Sequence, residues 1–407
     1  MTPATPPRLY LLDTLRGLAS LSVVVWHYQH FFFVAPGTLD PNFSVTSQPF
    51  YSLLAPFYLA GYAAVPLFFS LSGFVFFLIY SDALGNGKIG LWKFFVLRFS
   101  RLYPLHFAML LLVALGQYLS WRNDGQFIVY PYNDTRHFVL NLLFASDWGL
   151  QKGFSFNSPV WSVSVEVLLY AMFFVFAYSV VPRVRSWIGG PFSQRVVPIM
   201  VAIAVAAVAQ KTLPVMELRT VASAAVSFFL GGLVYVIWDV MRARSARESA
   251  ALALIAAAVV VVSIAVYALA LPNDALLRLA TFPPLILALA LSQSLYPNAG
   301  RATRLIGDVT YSTYLIHFPI QLAILLGVKQ WGLAIDFHAP LAFVGFAGAV
   351  VLLSIPTYYG FELPMQTWLR SKLLPRPGSS GKSNGDWGAA PLPPSHPAAS
   401  FVPEQMK

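Results

Sequence analysis

The 407-residue sequence contains no cysteine and very few charges. Without thiols, disulfides, thiolate metal sites and a cysteine nucleophile are all excluded, and thiol usage gives no reading of the redox compartment. Asp, Glu, Lys and Arg make up 10% of the chain, where an average globular protein carries about a quarter. So few charged groups cannot cover the surface of a water-soluble fold of this length. Acidic residues are the scarcer kind: 16 Asp and Glu stand against 26 Lys and Arg, a formal net charge of +10. What fills the chain instead is apolar, 57% hydrophobic and 15% aromatic, with a mean hydropathy of +0.66. That content excludes disorder for most of its length. The composition is that of a polytopic membrane protein, and an all-α bundle follows because a helix satisfies its own backbone in lipid.

Crossing a bilayer takes about 17–25 apolar residues. Ten runs qualify, near 15–35, 57–80, 102–120, 159–181, 196–210, 219–238, 250–271, 279–297, 305–327 and 339–361. The fifth is the shortest. The apolar stretch 138–150 is too brief to span and reads as a re-entrant or interfacial segment. No A-x-A-like site closes the first run, which argues against a cleaved signal peptide. An even number of spans puts both termini on one side. The N-terminus, the loops 81–101, 182–195, 239–249 and 298–304 and the tail hold 19 of the 26 Lys and Arg. By the positive-inside rule that side is cytoplasmic. Topology thus accounts for most of the excess charge, and nucleic acid is not an expected partner. From Pro375 the sequence is rich in Pro, Gly and Ser. A disordered cytoplasmic tail, 371–407, is therefore expected behind a membrane domain of 9–370.

Ionisable groups inside lipid cost several kcal/mol, so each is a candidate site residue. The first span carries Arg16 at its cytoplasmic end and His27 deep within it. Eleven positions separate them, about 16 Å along a helix and only about 20° around it. Arg16 reads equally as a snorkelling anchor, and His27 as a histidine bonded to a neighbouring helix. The fourth span opens NSPVWSVSVEVLLY, where Ser158 and Pro159 mark a helix start. If that start lies at the outer boundary, Glu166 sits about 12 Å below it, level with His27. His317 in the ninth span reaches a similar height. A carboxylate bonded to an imidazole fixes its tautomer and raises its basicity, as a general base requires. On the cytoplasmic side Arg98 and Arg101 share a helix face. With Arg16 they give three guanidiniums suited to bidentate capture of phosphate, or to lipid headgroups. FFSLSGFVFF in the second span would let backbones approach closely, and FPPLILALA reads as a kinked span. Zinc is not expected, because no H-x-x-x-H spacing is present.

LDTLRGLASLSVVVWH, with FFSLSGFVF, RFSRLYP, SPVWSVSVE, IGDVTYSTYLIHFPI and FELP in that order, resembles the acyltransferase 3 family of integral membrane acyltransferases. The resemblance spans roughly residues 9 to 370. It departs at Val167, where the family often has a second carboxylate. It implies transfer of an acyl group, most often acetyl, from acyl-CoA to a hydroxyl of a sugar-containing acceptor. Surface polysaccharide, peptidoglycan, glycolipid and macrolide-like metabolites are all such acceptors. It also implies that His27 is essential to transfer, and that Arg16, Arg98 and Arg101 serve the acyl donor. Joined to the residue reading, it casts His27 as base, Glu166 as its orienting carboxylate, and His317 as a partner for the acceptor. Some members carry an SGNH hydrolase-like domain. Gly307-Asp308 is followed here by Val309 rather than Ser, which implies a stand-alone member. The expected setting is a bacterial inner membrane, with acyl-CoA, a hydroxyl-bearing acceptor and the bilayer as partners, no metal, and a homodimer left open. Two rivals stand beside this reading: a proton-coupled transporter, and a subunit that passes acyl groups to a separate transferase.

Overall fold

The computed structural model describes residues 8–269 and 273–375. Ten helical units follow one another at the places the apolar runs mark. The first, α1, is Tyr10–Trp26, continued by a 3₁₀ turn over His27–Phe32. Among the described residues nine further helices are long and apolar enough to cross a membrane. They are α2 Tyr51–Gly85, α3 Leu91–Asp124, α4 Ser158–Arg185, α5 Pro191–Thr212, α6 Met216–Met241, α7 Ala246–Leu269, α8 Asp274–Leu295, α9 Thr310–Trp331 and α10 Pro340–Leu373. The short fifth run belongs to a full-length helix.

Several boundaries differ from expectation, each for a local reason. The first span does not continue as one helix to residue 35. Its α-helix ends at Trp26, and the chain tightens to 3₁₀ before a small hairpin, Phe33–Ala35 against Thr38–Leu39. The last span runs past 361 to Leu373 through a π-turn at Tyr358–Glu362. FPPLILALA does carry an irregularity: a π-turn at Leu277–Thr281 precedes Pro283 and Pro284. Proline has no N–H to give back to the preceding turn, so the ladder widens there. Ser158 starts α4 without a side-chain cap. The segment 138–150 falls on a short helix, Thr135–Leu142, capped by Asp134, and a loop that leads back to α4. Most of the expected tail, 376–407, lies outside the described residues.

Burial sorts the helices into core and rim. In α6, 72% of the most apolar stretch is buried, against 17% in α5 and α7. Leu254, Val261 and Val262 of α7 point outward, an apolar surface suited to lipid. The tightest crossing joins α2 to α6. A Cβ on Gly73 would collide with the carbonyl of Phe228, and one on Gly231 with the carbonyl of Ser70. Backbones meet there as the small residues of FFSLSGFVFF suggest.

Loops gather at two ends as the charge count expects. At one end Arg8 pairs with Asp308 at 2.5 Å and with Asp13 at 2.8 Å, and Arg195 pairs with Asp239 at 2.8 Å. Trp92 Nε1 donates to the Leu373 carbonyl at this same basic end. At the other end Tyr62 donates to Asp274, Lys329 faces Asp124, and Gly149 abuts Val215.

Candidate active site

His27 sits where α1 gives way to the 3₁₀ turn. Its Nδ1 lies 2.9 Å from the Val23 carbonyl. A carbonyl only accepts, so Nδ1 carries the proton and Nε2 keeps the lone pair. Two more imidazoles crowd it: the rings of His30 and His317 are each centred 4.9 Å from the His27 ring. His317 Nδ1 donates to the Tyr314 carbonyl at 2.6 Å, and its buried Nε2 has no protein partner. A buried acceptor left bare costs about 1–3 kcal/mol, so the place suits a ligand that brings a donor. His30 is fully used. Its Nδ1 donates to Gln321 Oε1 at 3.1 Å and its Nε2 accepts from Tyr130 at 3.4 Å. Gln321 in turn donates to the His27 carbonyl at 3.1 Å, so α9 pins the whole turn. His27 also lines a cavity of about 280 Å³ between α1, α2, α4, α6, α8 and α9.

Glu166 is not where the sequence reading put it. Asn157 donates to the Leu315 carbonyl at 3.0 Å and Tyr314 to the Pro159 carbonyl at 2.6 Å. The start of α4 is thus already level with the histidines. Eight residues further on, Glu166 lies about 12 Å nearer the basic end. There it accepts from Ser72 at 2.5 Å and faces Arg16, Arg101 and Tyr170. Its place is with the arginines, not beside His27.

Those arginines do assemble. Arg16 lies 3.5 Å from Asp13 and is close to Arg101 and Glu166. Arg98 lies over the rings of Phe76 and Tyr80, 5.1 and 5.0 Å from their centroids, bonded to the Tyr80 hydroxyl. Its buried Nε has no partner. Arg101 faces Glu362 and Glu166. Arg370, whose Nε donates to Ser100 at 3.0 Å, adds a fourth guanidinium near Arg98 and Arg101. Like charges held together in this way favour a bound polyanion. His106, by contrast, stacks on Phe144 at 4.1 Å and donates to or accepts from nothing catalytic; its Nε2 bonds the Asn141 carbonyl.

An acyltransferase-domain family model, acyltransferase 3, matches residues 9–359. The chain belongs to this family. The chain is also similar to "Protein 2 in picA locus" of Rhizobium radiobacter, 38% identical over 114 residues. That match covers 28% of the chain and 48% of the relative, so about half of the relative's length is spanned. No solved structure matches.

Three residues of the candidate site escaped the sequence reading. His30 was hidden by the assumption of a regular α-helix; in a 3₁₀ turn positions i and i+3 eclipse, which brings it over His27. Glu362 was left outside the membrane because the last apolar run ends at Phe361. It is buried, accepts from Ser312 at 2.6 Å, and is a second carboxylate beside Arg101 along with Glu166. Arg370 stood among charges counted only for topology.

Proposed function

We propose that this membrane acyltransferase moves an acyl group, most readily acetyl, from acyl-CoA to a hydroxyl of a sugar-containing acceptor, in a bacterial inner membrane. The observation that carries this reading is the fixed tautomer of His27, a residue that lines a cavity, which leaves the Nε2 lone pair free to act as a base. Arg16, Arg98, Arg101 and Arg370 would hold the phosphates of the donor at the basic end. Glu166 and Glu362 would keep those guanidiniums in register. The distance from Arg16 to His27, about 16 Å of helix, matches an extended pantetheine arm.

The chemistry then needs few groups. His27 Nε2 takes the proton of the acceptor hydroxyl as the oxygen attacks the thioester carbonyl. The acyl–oxygen bond forms, the acyl–sulfur bond breaks, and the imidazolium returns its proton to the departing thiolate. His317 Nε2, buried without a protein partner, would accept from a second acceptor hydroxyl and so orient it. Family membership and the arginine layer favour this over proton-coupled transport, for which the histidine cluster alone would speak.

Thermal unfolding of the purified protein with acetyl-CoA tests the donor half. Stabilisation that is present in the wild type and lost in Arg98→Gln is the expected result. Proton-coupled flux without CoA, and no response to acetyl-CoA, would instead support the transporter. Transfer by the pure chain to a simple glycoside would exclude the translocating-subunit reading.

A further inference from the structure

The cavity beside His27 has a second end that the acyl-transfer chemistry above does not use. Tyr62, Thr220, Asp274 and Arg278 line it away from the histidines. Thr220 lies one turn inside the start of α6, and Asp274 is the first residue of α8. These helix ends belong to the face opposite Arg8 and the basic loops. Trp26 and Trp161 add aromatic walls. Asp274 Oδ1 accepts from Tyr62 at 2.9 Å. Arg278 bonds the Ser223 hydroxyl, while its buried Nε has no partner.

We propose that this cavity is the acceptor subsite: it admits one hydroxyl-bearing sugar ring from the face opposite the arginine layer, holds it against Trp26 and Trp161, and orients its hydroxyls with Asp274 and Arg278. The proposal rests on the reading of His27 as the transfer base. Aromatic faces with a few convergent polar groups suit a ring that has apolar C–H faces and a polar rim. Asp274 accepts and Arg278 donates, one turn apart, which matches a pair of ring hydroxyls better than a single anion. A volume of about 280 Å³ is at the small end for small-molecule pockets, which run from about 300 Å³. It suits one ring at the end of a glycan or glycolipid rather than a length of polymer. Donor and acceptor then approach His27 from opposite faces, so the acyl group crosses the membrane's thickness during transfer.

The chain has no native cysteine, so Thr220→Cys gives a single thiol at the cavity mouth. Right-side-out and inside-out membrane vesicles carrying this variant are treated with a charged, membrane-impermeant methanethiosulfonate. Transfer of radiolabelled acetyl from acetyl-CoA to the glycans and glycolipids of the same membranes is measured before and after. The expected result is modification only from the face opposite the N-terminus. Acetyl transfer should then fall at least about tenfold relative to the same variant before treatment, with stabilisation by acetyl-CoA intact. Arg278→Gln should raise KM for the acceptor about tenfold and leave KM for acetyl-CoA alone. Modification from the N-terminal face, reaction only with membrane-soluble N-ethylmaleimide (a lipid-filled cavity), or unchanged transfer after modification would each overturn the proposal. So would equal effects of Arg278→Gln on both substrates. Absence of transfer in membranes carrying the unsubstituted protein would count against the acyl-transfer reading, while the sidedness of Thr220→Cys labelling would still report on the cavity.

Discussion

The three clustered imidazoles, His27, His30 and His317, differ in what their second nitrogen has left to do. His30 is bonded at both nitrogens, whereas His317 keeps a bare Nε2 and His27, which lines the cavity, an Nε2 lone pair. That division separates a positioning residue from the groups that can handle protons. Replacing Gln321 with Leu removes the link from α9 to His30 and to the His27 carbonyl. Transfer should fall about tenfold with kcat, not with KM for acetyl-CoA, as expected when a base is moved rather than a substrate released. Steady-state kinetics of the reconstituted variant checks this. His27, Arg16, Arg98 and Arg101 were legible because a charged residue in an apolar run stands out. Glu166 was legible as a site residue but not in its place, since its depth depended on where α4 begins. That start is set by Asn157 and Tyr314 binding across to α9 and α4 backbone, a tertiary fact with no local signal.

At the scale of elements, the irregular turns matter more than the helices. The 3₁₀ turn after Trp26 brings His30 onto His27, and the π-turn at Tyr358–Glu362 turns Glu362 inward. Hydropathy finds the ten spans well, because length and apolarity are all it needs, but carries no mark of either turn. The α2–α6 crossing was suggested by its small residues and rests on Gly73 and Gly231. Gly73→Leu should separate the two backbones and lower stability by about 1–3 kcal/mol or more, read as a lowered Tm in detergent. The loop helix Thr135–Leu142 offers a pH-dependent test. Asp134 accepts from the His137 N–H at 2.9 Å, which holds its carboxyl below the ordinary value. Its cap is therefore present at neutral pH and lost as pH falls through that lowered value. Asp134→Ala should cost about 1 kcal/mol at pH 7 and progressively less as pH falls through that lowered value, by comparison of Tm values.

Across the whole molecule, a layer of arginines at the basic end and a cavity mouth at the other leave the histidines between them. The sorting of loops to two ends was legible from charge alone, since the positive-inside bias needs no fold. That four arginines form one layer was not, because Arg370 and Arg98 are distant in sequence and meet only through the packing of α10 on α3. If the layer holds the donor, Arg370→Gln should raise KM for acetyl-CoA about tenfold and leave the acceptor dependence unchanged. The central claim is that His27 is the base that links the two ends. Purified His27→Ala, reconstituted in lipid, is assayed for acetyl transfer alongside thermal stabilisation by acetyl-CoA. Transfer should drop by at least about 10²-fold while acetyl-CoA still stabilises the folded protein. Near-normal transfer by that folded variant would contradict the account.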